Sequence, residues 1–284
     1  MSKIIFVSDM FLDECSGGAE LTTESIIDDS PHEVIKKKSG TVTKEYCQAN
    51  IENFWIFGNF SFLAEDVKKF VLENLNYSVI EYDYKYCKFR SDNLHILSEG
   101  KCDCDSNFTG KINSLFLARS KVSWWMSHGQ REFYFSKFPF LKNTNTIVLS
   151  SVFSEETTSY LREIKRKEKN NKWIILDSPS WIKNKQGCVE YAKKNNLEFE
   201  LVWGLEYKEL LSKLSRSKGL IFLPLGKDTC PRITIEAKLL GCQTILNENV
   251  QHRDEEWFRD EDSIFKYLSE RTKVFWEEMN KHVQ

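Results

Sequence analysis

Long hydrophobic runs are missing from this sequence of 284 residues. No apolar stretch approaches the roughly 20 residues that a membrane-spanning helix needs, so no span is predicted. The N-terminal residues Met1–Asp9 pass directly into a strand-like run and lack the pattern of a signal peptide. We therefore expect a cytoplasmic protein whose eight cysteines are free thiols or metal ligands rather than disulfides.

A large net charge is also missing, because 40 lysines and arginines nearly balance 42 aspartates and glutamates. The distribution along the chain is nevertheless uneven. Residues 1–84 hold 7 basic and 15 acidic side chains, whereas residues 85–142 hold 10 basic and 5 acidic ones. The second region is suited to an anionic partner, and ordinary surface charge is the alternative explanation.

The stretch Gly219–Asn249 carries the signals of a strand, a loop, a helix and a second strand. Leu220–Leu223 has the length of a buried strand, and a polar turn follows it. The next apolar residues recur at helical spacing: Ile233, Ala237 and Leu240. Gly241 stands where a helix often ends, and Gln243–Leu246 is strand-like. This order predicts a parallel crossover with a helix N-terminus at the carboxyl end of a strand, where α/β sheets bind phosphorylated ligands.

Two acids in this stretch, Asp228 and Glu236, have seven residues between them. Carboxylates on such a loop and helix accept hydrogen bonds from sugar hydroxyls, although acids that only cap or solvate the helix are the alternative. Residues 228–237, with the later Gly241, resemble the donor-binding motif of retaining GT-B glycosyltransferases. That resemblance implies that Asp228 binds the sugar at the catalytic centre and that Glu236 binds the ribose of a nucleoside diphosphate sugar. The family usually has Glu where this chain has the shorter Asp228.

The resemblance extends to basic residues that would face the diphosphate of the donor. Lys183 follows the predicted strand Trp173–Leu176 and matches the family's lysine, which neutralises the diphosphate. Asn184 replaces the glycine that often follows that lysine, and Lys185 is a close competitor for the role. Arg232 is a candidate for a phosphate or for a local carboxylate.

Two features of the N-terminal half also match the family. Gly17 and Gly18 lie at a predicted strand-to-helix turn, where backbone N–H groups approach a phosphate or sugar closely. His128 follows the predicted strand Val122–Met126, and a histidine there can bind a sugar hydroxyl or a developing oxyanion. The family often places a histidine near the donor sugar, so His128 becomes a catalytic candidate; a structural or surface histidine is the alternative.

Strand-like and helix-like stretches alternate along the chain, which predicts parallel sheets covered by helices on both faces. With the resemblance, the predicted fold class is α/β, with two Rossmann-like domains of the GT-B type and a C-terminal helix. We expect residues 1–150 to form the acceptor-side domain, residues 151–250 to bind the nucleotide sugar, and residues 251–284 to form a helical tail. The aromatic face of that tail would pack on the first domain or form a homodimer interface.

The segment 84–108 interrupts this alternation. It contains four residues of the types that bind zinc, within eighteen positions: Cys87, His95, Cys102 and Cys104. Three thiolates and one imidazole complete a tetrahedral site, although the spacing matches no common pattern. A polar loop with incidental cysteines is the alternative. Any zinc here would be structural, because the resemblance implies no metal in the chemistry.

These features together predict a retaining glycosyltransferase that uses a nucleoside diphosphate sugar. The run Asp83–Cys87 and the motif beginning at Asp228 are similar to small glycosyltransferases encoded by tailed phages. Some phage enzymes of the GT-B class glycosylate hydroxymethylated cytosine in DNA, which implies an acceptor in the host cytoplasm. The basic region 85–142 contains aromatic residues suited to an exposed base: Trp124, Trp125 and Tyr134.

Other functions remain open from the sequence. The competing acceptor is a cell-surface glycan or a small molecule. A GT-B-like protein with an altered motif would bind a nucleotide or nucleic acid without turnover. A metal-bearing nucleic-acid-binding module centred on residues 85–131 is the third interpretation.

Overall fold

The computed structural model describes residues 3–283, so Met1, Ser2 and Gln284, which the predicted domains included, lie outside the described residues. The chain divides into two compact units. Residues 3–152 and 270–283 form the first unit, and residues 153–269 form the second. Within the described residues, every helix is too short or too polar to cross a membrane.

The first unit is built on a parallel sheet. Its strands are β1 (Ile4–Ser8), β2 (Val34–Lys38), β3 (Phe54–Phe57), β4 (Tyr77–Glu81), β5 (Ser123–Trp125) and β6 (Thr146–Val148). Within residues 3–152 these six strands pair in the order β2-β1-β3-β4-β5-β6. Strands β1, β3 and β4 are buried along their whole length, which explains why they are continuous apolar runs.

Helices cover this sheet. They are α1 (Gly18–Asp28), α2 (Lys44–Ala49), α3 (Glu65–Asn74), α4 (Asp92–Glu99), α5 (Phe108–Arg119) and α6 (His128–Lys137). The periodicity predicted α1, α3 and α5, but α4 and α6 were not predicted. Both begin with a serine whose side chain accepts a hydrogen bond from the backbone three residues on, Ser91 for α4 and Ser127 for α6. Such N-caps stabilise short helices that have no clear apolar stripe.

Aromatic side chains fill the core between the sheet and α5. The Phe116 ring lies 5.1 Å from Phe57 and 4.8 Å from Tyr77, measured between ring centroids. The Tyr77 hydroxyl also donates a hydrogen bond of 2.9 Å to the Phe116 carbonyl oxygen, which satisfies a polar atom that the core would otherwise bury unpaired. This packing holds α5 against β3 and β4.

The second unit contains a smaller parallel sheet. Its strands are β7 (Trp173–Leu176), β8 (Phe199–Val202), β9 (Gly219–Phe222) and β10 (Gln243–Leu246). Within residues 153–269 they pair in the order β10-β9-β7-β8. Its helices are α7 (Glu155–Ile164), α8 (Lys185–Lys194), α9 (Tyr207–Arg216), α10 (Arg232–Leu239) and α11 (Glu261–Ser269). The predicted strand, loop, helix and strand of residues 219–249 are confirmed as β9, α10 and β10.

The last helix, α12 (Arg271–Met279), belongs to the first unit. Its Phe275 ring lies 4.7 Å from Trp124 of β5, and the Trp276 ring nitrogen donates to the Ile26 carbonyl oxygen of α1 at 3.0 Å. Phe275 and Trp276 are buried in these contacts. The aromatic face of this helix is therefore covered by the chain's own first unit.

Candidate functional site

The candidate site of the second unit lies where its parallel strands end. The loops after β7, β9 and β10 all leave from the carboxyl-terminal edge of the sheet, because parallel strands share one direction. Lys183 follows β7 and Asp228 follows β9. The backbone of Asp228 is held on both sides, since its N–H donates to the Asn249 carbonyl at 2.8 Å and its carbonyl accepts from the Gln251 N–H at 3.1 Å.

Lys183 and Asp228 form an ion pair. The Lys183 Nζ atom donates to Asp228 Oδ2 at 2.8 Å, although 45 positions separate the two residues. The side chains remain 28% and 14% exposed, so solvent reaches the pair and an incoming anion can contact the ammonium group. The Lys183 ammonium group also lies 5.0 Å from the centroid of the Phe222 ring at the end of β9. Two residues that the sequence assigned to one donor thus meet at one edge.

Asn184 shapes the loop that presents Lys183. Its φ angle of 49° lies in the left-handed region, which asparagine and glycine tolerate better than other residues. Its side chain accepts from the Gly187 N–H at 3.1 Å and donates to the Leu223 carbonyl at 2.7 Å, which ties the start of α8 to the end of β9. Asn184 thus supplies both the left-handed backbone conformation of this loop and two hydrogen bonds to it.

The structure also separates Lys183 from its competitor. Lys185 is the first residue of α8, and its ammonium group lies 2.5 Å from Asp177 rather than at the Asp228 loop. Its side chain is 45% exposed, compared with 28% for Lys183. The geometry favours Lys183 as the lysine of the candidate site.

Glu236 lies inside α10 and is buried. The Tyr207 hydroxyl of α9 donates to Glu236 Oε1 at 2.7 Å, and the Arg232 Nε atom lies 3.5 Å from the same oxygen. Burial raises the pKa of Glu236, while Arg232 and the Tyr207 hydroxyl act in the opposite direction. Arg232 also lies 3.7 Å from the Phe153 ring centroid. Arg232 was predicted to contact either a phosphate or a local carboxylate, and in the structure it lies beside the carboxylate of Glu236. Tyr207 was not predicted, because a lone tyrosine gives no signal in sequence.

The glycine loop and His128 lie in the first unit. Gly17 is the N-cap of α1, and a Cβ atom at this position would lie 2.4 Å from Glu20 Oε2, so a larger residue would displace that carboxylate. Burial raises the pKa of Glu20. Gly18 is the first residue of α1, and His128 is the exposed first residue of α6, just beyond β5 as predicted. No ligand or reaction role of these residues follows from their positions alone.

The four predicted metal ligands meet in the first unit. The ligand atoms of Cys87, His95, Cys102 and Cys104 all lie within 4.8 Å of one another. His95 Nδ1 lies 3.5 Å from Cys87 Sγ and 3.3 Å from Cys104 Sγ, and the Cys87 and Cys102 sulfurs are 3.8 Å apart. Tetrahedral coordination with bonds of about 2.0–2.3 Å separates ligand atoms by about 3.3–3.8 Å, which matches these three distances. The widest ligand pair, up to 4.8 Å apart, would have to close on binding.

The surroundings of this cluster also suit a metal. His95 Nε2 lies 3.0 Å from Glu99 Oε2, the carboxylate partner that commonly orients a ligating histidine. A Cβ atom on Gly110 would lie 1.7 Å from the Cys104 carbonyl oxygen, so α5 approaches the cysteine loop as closely as only glycine allows. The spacing of the four residues along the chain matches no common zinc pattern, because helix α4 brings His95 to the cysteines.

The prediction that aromatic residues of region 85–142 stack on an exposed base is wrong. Trp124, Trp125 and Tyr134 are all 0% exposed, so none of them can stack on a base. Trp125 packs on Tyr134 with ring centroids 4.8 Å apart. Both faces of β5 are covered, and tryptophans on opposite sides of the strand are therefore buried alike. Several basic residues of region 85–142 also lie within ion-pair distance of a carboxylate: Lys85, Lys88, Arg90, Lys101, Arg131 and Lys137.

Two Rossmann-like units, with the final helix on the first unit, define the GT-B fold that the sequence predicted. The chain is similar in structure to an alpha-glucosyltransferase solved in complex with UDP and a 13-mer DNA containing an HMU base. The likeness covers 100% of this chain and 96% of that chain, with a TM-score of 0.50 and 11% sequence identity. At this identity the likeness establishes the fold. No protein-family model and no curated protein matches the sequence.

His252 is a buried residue beside α10 that the sequence did not single out. Its Nε2 atom lies 3.1 Å from the Thr234 hydroxyl of α10, and its ring stacks on Trp257 with centroids 5.4 Å apart. Burial lowers the pKa of His252 to about 3, with a smaller contribution from Lys238. The ring is therefore neutral at physiological pH, and α10 rests on an uncharged histidine.

This histidine should make stability depend on pH. Between the unfolded pKa of about 6.5 and the folded pKa, the unfolded chain binds the proton and the folded chain does not. The free energy of unfolding should thus fall as the pH falls, by up to about 1.4 kcal/mol per pH unit from this group. Urea denaturation at pH 7, 6 and 5 should show a shallower decline for His252→Gln. Thr234→Val, which keeps the histidine, should keep the wild-type slope; equal slopes for all three proteins would contradict the assignment.

Proposed function

We propose that this protein is a glycosyltransferase that moves a sugar from a UDP-sugar to a hydroxymethylated base in DNA. The observation that carries the proposal is the ion pair between Lys183 and Asp228 at the carboxyl-terminal edge of the second sheet. The fold supports it, since the similar glucosyltransferase binds UDP and DNA containing an HMU base. In this proposal the second unit binds the donor and the first unit binds the acceptor.

Lys183 and Asp228 have complementary roles in donor binding. In the structure each neutralises the other, because Nζ and Oδ2 are 2.8 Å apart. A diphosphate competes with Asp228 for the Lys183 ammonium group and forms an ion pair with it. The Asp228 carboxylate then accepts hydrogen bonds from the sugar hydroxyls. The pair thus keeps both side chains in place before the donor arrives, which lowers the entropy lost on binding.

Glu236, Tyr207 and Arg232 form the second part of the proposed donor site. Glu236 is buried on α10 and holds the Tyr207 hydroxyl at 2.7 Å. We assign recognition of the ribose hydroxyls to this carboxylate and its tyrosine partner. Arg232 offsets the cost of the buried carboxylate, because it lies 3.5 Å away and stacks on Phe153.

The proposed reaction depends on the leaving group. The bond between the anomeric carbon and the diphosphate oxygen breaks, and the acceptor hydroxyl oxygen bonds to that carbon on the same face. The hydroxyl proton passes to the released diphosphate. Lys183 stabilises the negative charge that develops on the diphosphate. Transfer on the same face retains the anomeric configuration, as the resemblance to retaining enzymes implies. Roles for His128, Gly17 and Gly18 remain predictions.

Replacing Lys183 should weaken donor binding. For Lys183→Ala we expect the Kd for UDP to rise roughly 10- to 100-fold, because a hydrogen bond between charged groups contributes about 1.5–3 kcal/mol. Isothermal titration calorimetry measures this directly. Lys185→Ala is the matched control, since that lysine pairs with Asp177. A larger loss for Lys185→Ala than for Lys183→Ala would reverse the assignment.

The two acids should separate binding from transfer. Asp228→Ala should abolish sugar transfer with little loss of fold, and Glu236→Gln should weaken donor binding by roughly 1–3 kcal/mol. Normal turnover by both variants would contradict the donor site proposed here.

The acceptor is tested with duplex DNA that does or does not carry a hydroxymethylated base. We expect labelled sugar from a UDP-sugar to enter only the modified DNA, and transfer at low DNA concentration to weaken steeply as salt is raised, through release of counterions. Asp228→Ala serves as the inactive control. Transfer to a glycan or small molecule, with neither DNA modified, would contradict the DNA acceptor. UDP binding without any turnover would favour a non-catalytic nucleotide-binding protein.

We further propose that Cys87, His95, Cys102 and Cys104 bind one structural zinc ion. The set of three thiolates and one imidazole is a common closed zinc site, and three of the ligand-atom distances, 3.3, 3.5 and 3.8 Å, match tetrahedral coordination. When bound, zinc would crosslink the segment 84–108 through its two ends and α4. It supplies no group to the transfer step.

Protein purified without chelators should contain about one zinc per chain by elemental analysis. Chelation should lower the melting temperature, because the free energy of metal binding contributes to folding. Cys104→Ser should lose the metal, whereas Cys47→Ser, a buried cysteine of the same unit outside the cluster, should retain it. Wild-type protein without stoichiometric metal would remove the proposal.

A further inference from the structure

A cluster of charged side chains lies at the carboxyl-terminal edge of the first sheet. Asp9 directly follows β1, Asn59 lies two residues beyond β3, and Asp83 lies two residues beyond β4. Because these strands are adjacent in the order β1-β3-β4, the three side chains come together at one edge. This is the edge at which parallel α/β sheets place their ligands.

Arg90 joins these three strand ends. Its Nε atom donates to Asp83 Oδ2 at 2.5 Å, and its Nη2 atom donates to Asn59 Oδ1 at 2.9 Å. Its Nη1 atom lies 3.8 Å from Asp9 Oδ2. One guanidinium group therefore holds two carboxylates and one amide that come from different loops.

Asp9 extends this arrangement to the loop after β3. Its carboxylate accepts from the Ser61 N–H at 3.1 Å, from the Phe62 N–H at 3.3 Å and from the Ser39 hydroxyl at 2.5 Å. The carboxylate is almost buried, with 8% of the side chain exposed. The backbone of residues 61–62 thus depends on the position of Asp9, and Asp9 faces Arg90.

The backbone of Arg90 belongs to the cysteine cluster. Its N–H donates to the Cys87 carbonyl at 2.8 Å, and the next residue, Ser91, caps the helix that carries His95. Arg90 has a φ of 54°, in the left-handed region that non-glycine residues rarely adopt. The turn between Cys87 and His95 imposes this conformation, and the conformation aims the guanidinium at the strand ends.

We propose that Arg90 is a positioning residue through which the Cys3His centre orders the carboxyl-terminal edge of the first sheet for the acceptor. A bound metal would fix the turn from Cys87 to His95; that turn positions Arg90, and Arg90 holds Asp83, Asn59 and Asp9. The link to the acceptor rests on the proposed function, and the part played by the metal rests on the zinc site proposed above; the contacts of Arg90 with the strand ends rest on neither.

The structural half is tested by hydrogen exchange on zinc-loaded protein. Arg90→Gln, with its zinc content confirmed, should speed exchange at the Ser61 and Phe62 amides by about tenfold or more, because Asp9, which accepts from both amides, loses the ion-pair partner that lies 3.8 Å away. The amides of β1 and β4 should keep their protection, and Arg90→Lys should restore part of the protection at residues 61–62. Arg119→Gln is the control, since it removes an exposed arginine of the same unit that makes no contact in this cluster. Wild-type exchange at both amides in Arg90→Gln would overturn the proposal.

A second variant keeps the test valid if Arg90→Gln loses its zinc. Asn59→Ala removes one hydrogen-bond partner of Arg90 and leaves the metal ligands unchanged. That variant should speed exchange at residues 61–62 in the same direction. Unchanged exchange in Asn59→Ala would count against the link between Arg90 and this loop.

The functional half is tested by steady-state transfer with UDP-sugar and modified DNA. Arg90→Gln should lower kcat by about tenfold or more with the Kd for UDP unchanged, because a misplaced acceptor slows transfer without affecting the donor. Arg119→Gln should show only the weaker DNA binding expected from one lost charge. Unchanged kcat in Arg90→Gln, with active wild-type protein, would overturn the link to the acceptor. Inactive wild-type protein would instead refute the proposed function, and the exchange result would stand.

Discussion

Parallel pairing of the strands is the constraint on which the rest of this structure depends. Parallel strands need crossover helices, and those helices cover both faces of each sheet. Side chains along the inner strands β1, β3 and β4 are consequently buried, which leaves the strand ends as places where charged groups reach solvent. Both the Lys183–Asp228 pair and the Arg90 cluster lie at such ends.

Charged groups at these edges are stabilised by close partners. A buried charge without a partner costs several kcal/mol, and removal of one member of a buried pair typically costs about 3–5 kcal/mol. Glu236 meets this requirement through Tyr207 and Arg232, and Asp83 through Arg90. The Lys183 and Asp228 side chains are 28% and 14% exposed, compared with 3% for both Glu236 and Arg232. A charged ligand can therefore rearrange the Lys183–Asp228 pair at lower cost than the Glu236–Arg232 pair.

The cysteine segment shows how a polar insertion is held on an aromatic core. Residues 84–108 contain one short helix, α4, and little regular structure besides. Cys87 and Cys104 are nonetheless buried in the core of the first unit, beside Tyr84 and Tyr86. A crosslink among four side chains offsets the conformational entropy that such a segment loses on folding. The same crosslink would fix the strained turn at Arg90.

The sequence alone determined the alternation of strands and helices, the strand–loop–helix–strand unit around Asp228, and the residue types of the Cys3His group. These are local properties, since periodicity and turn residues report how neighbours along the chain are buried. Only the tertiary structure decided that Lys183 rather than Lys185 meets Asp228, that Arg232 lies against Glu236, and that Arg90 joins three strands. It also buried Trp124 and Trp125, which composition had suggested for base stacking. Such contacts depend on strand order, loop geometry and the covering of both sheet faces, which bring together residues far apart in the chain and leave no periodic signal in it.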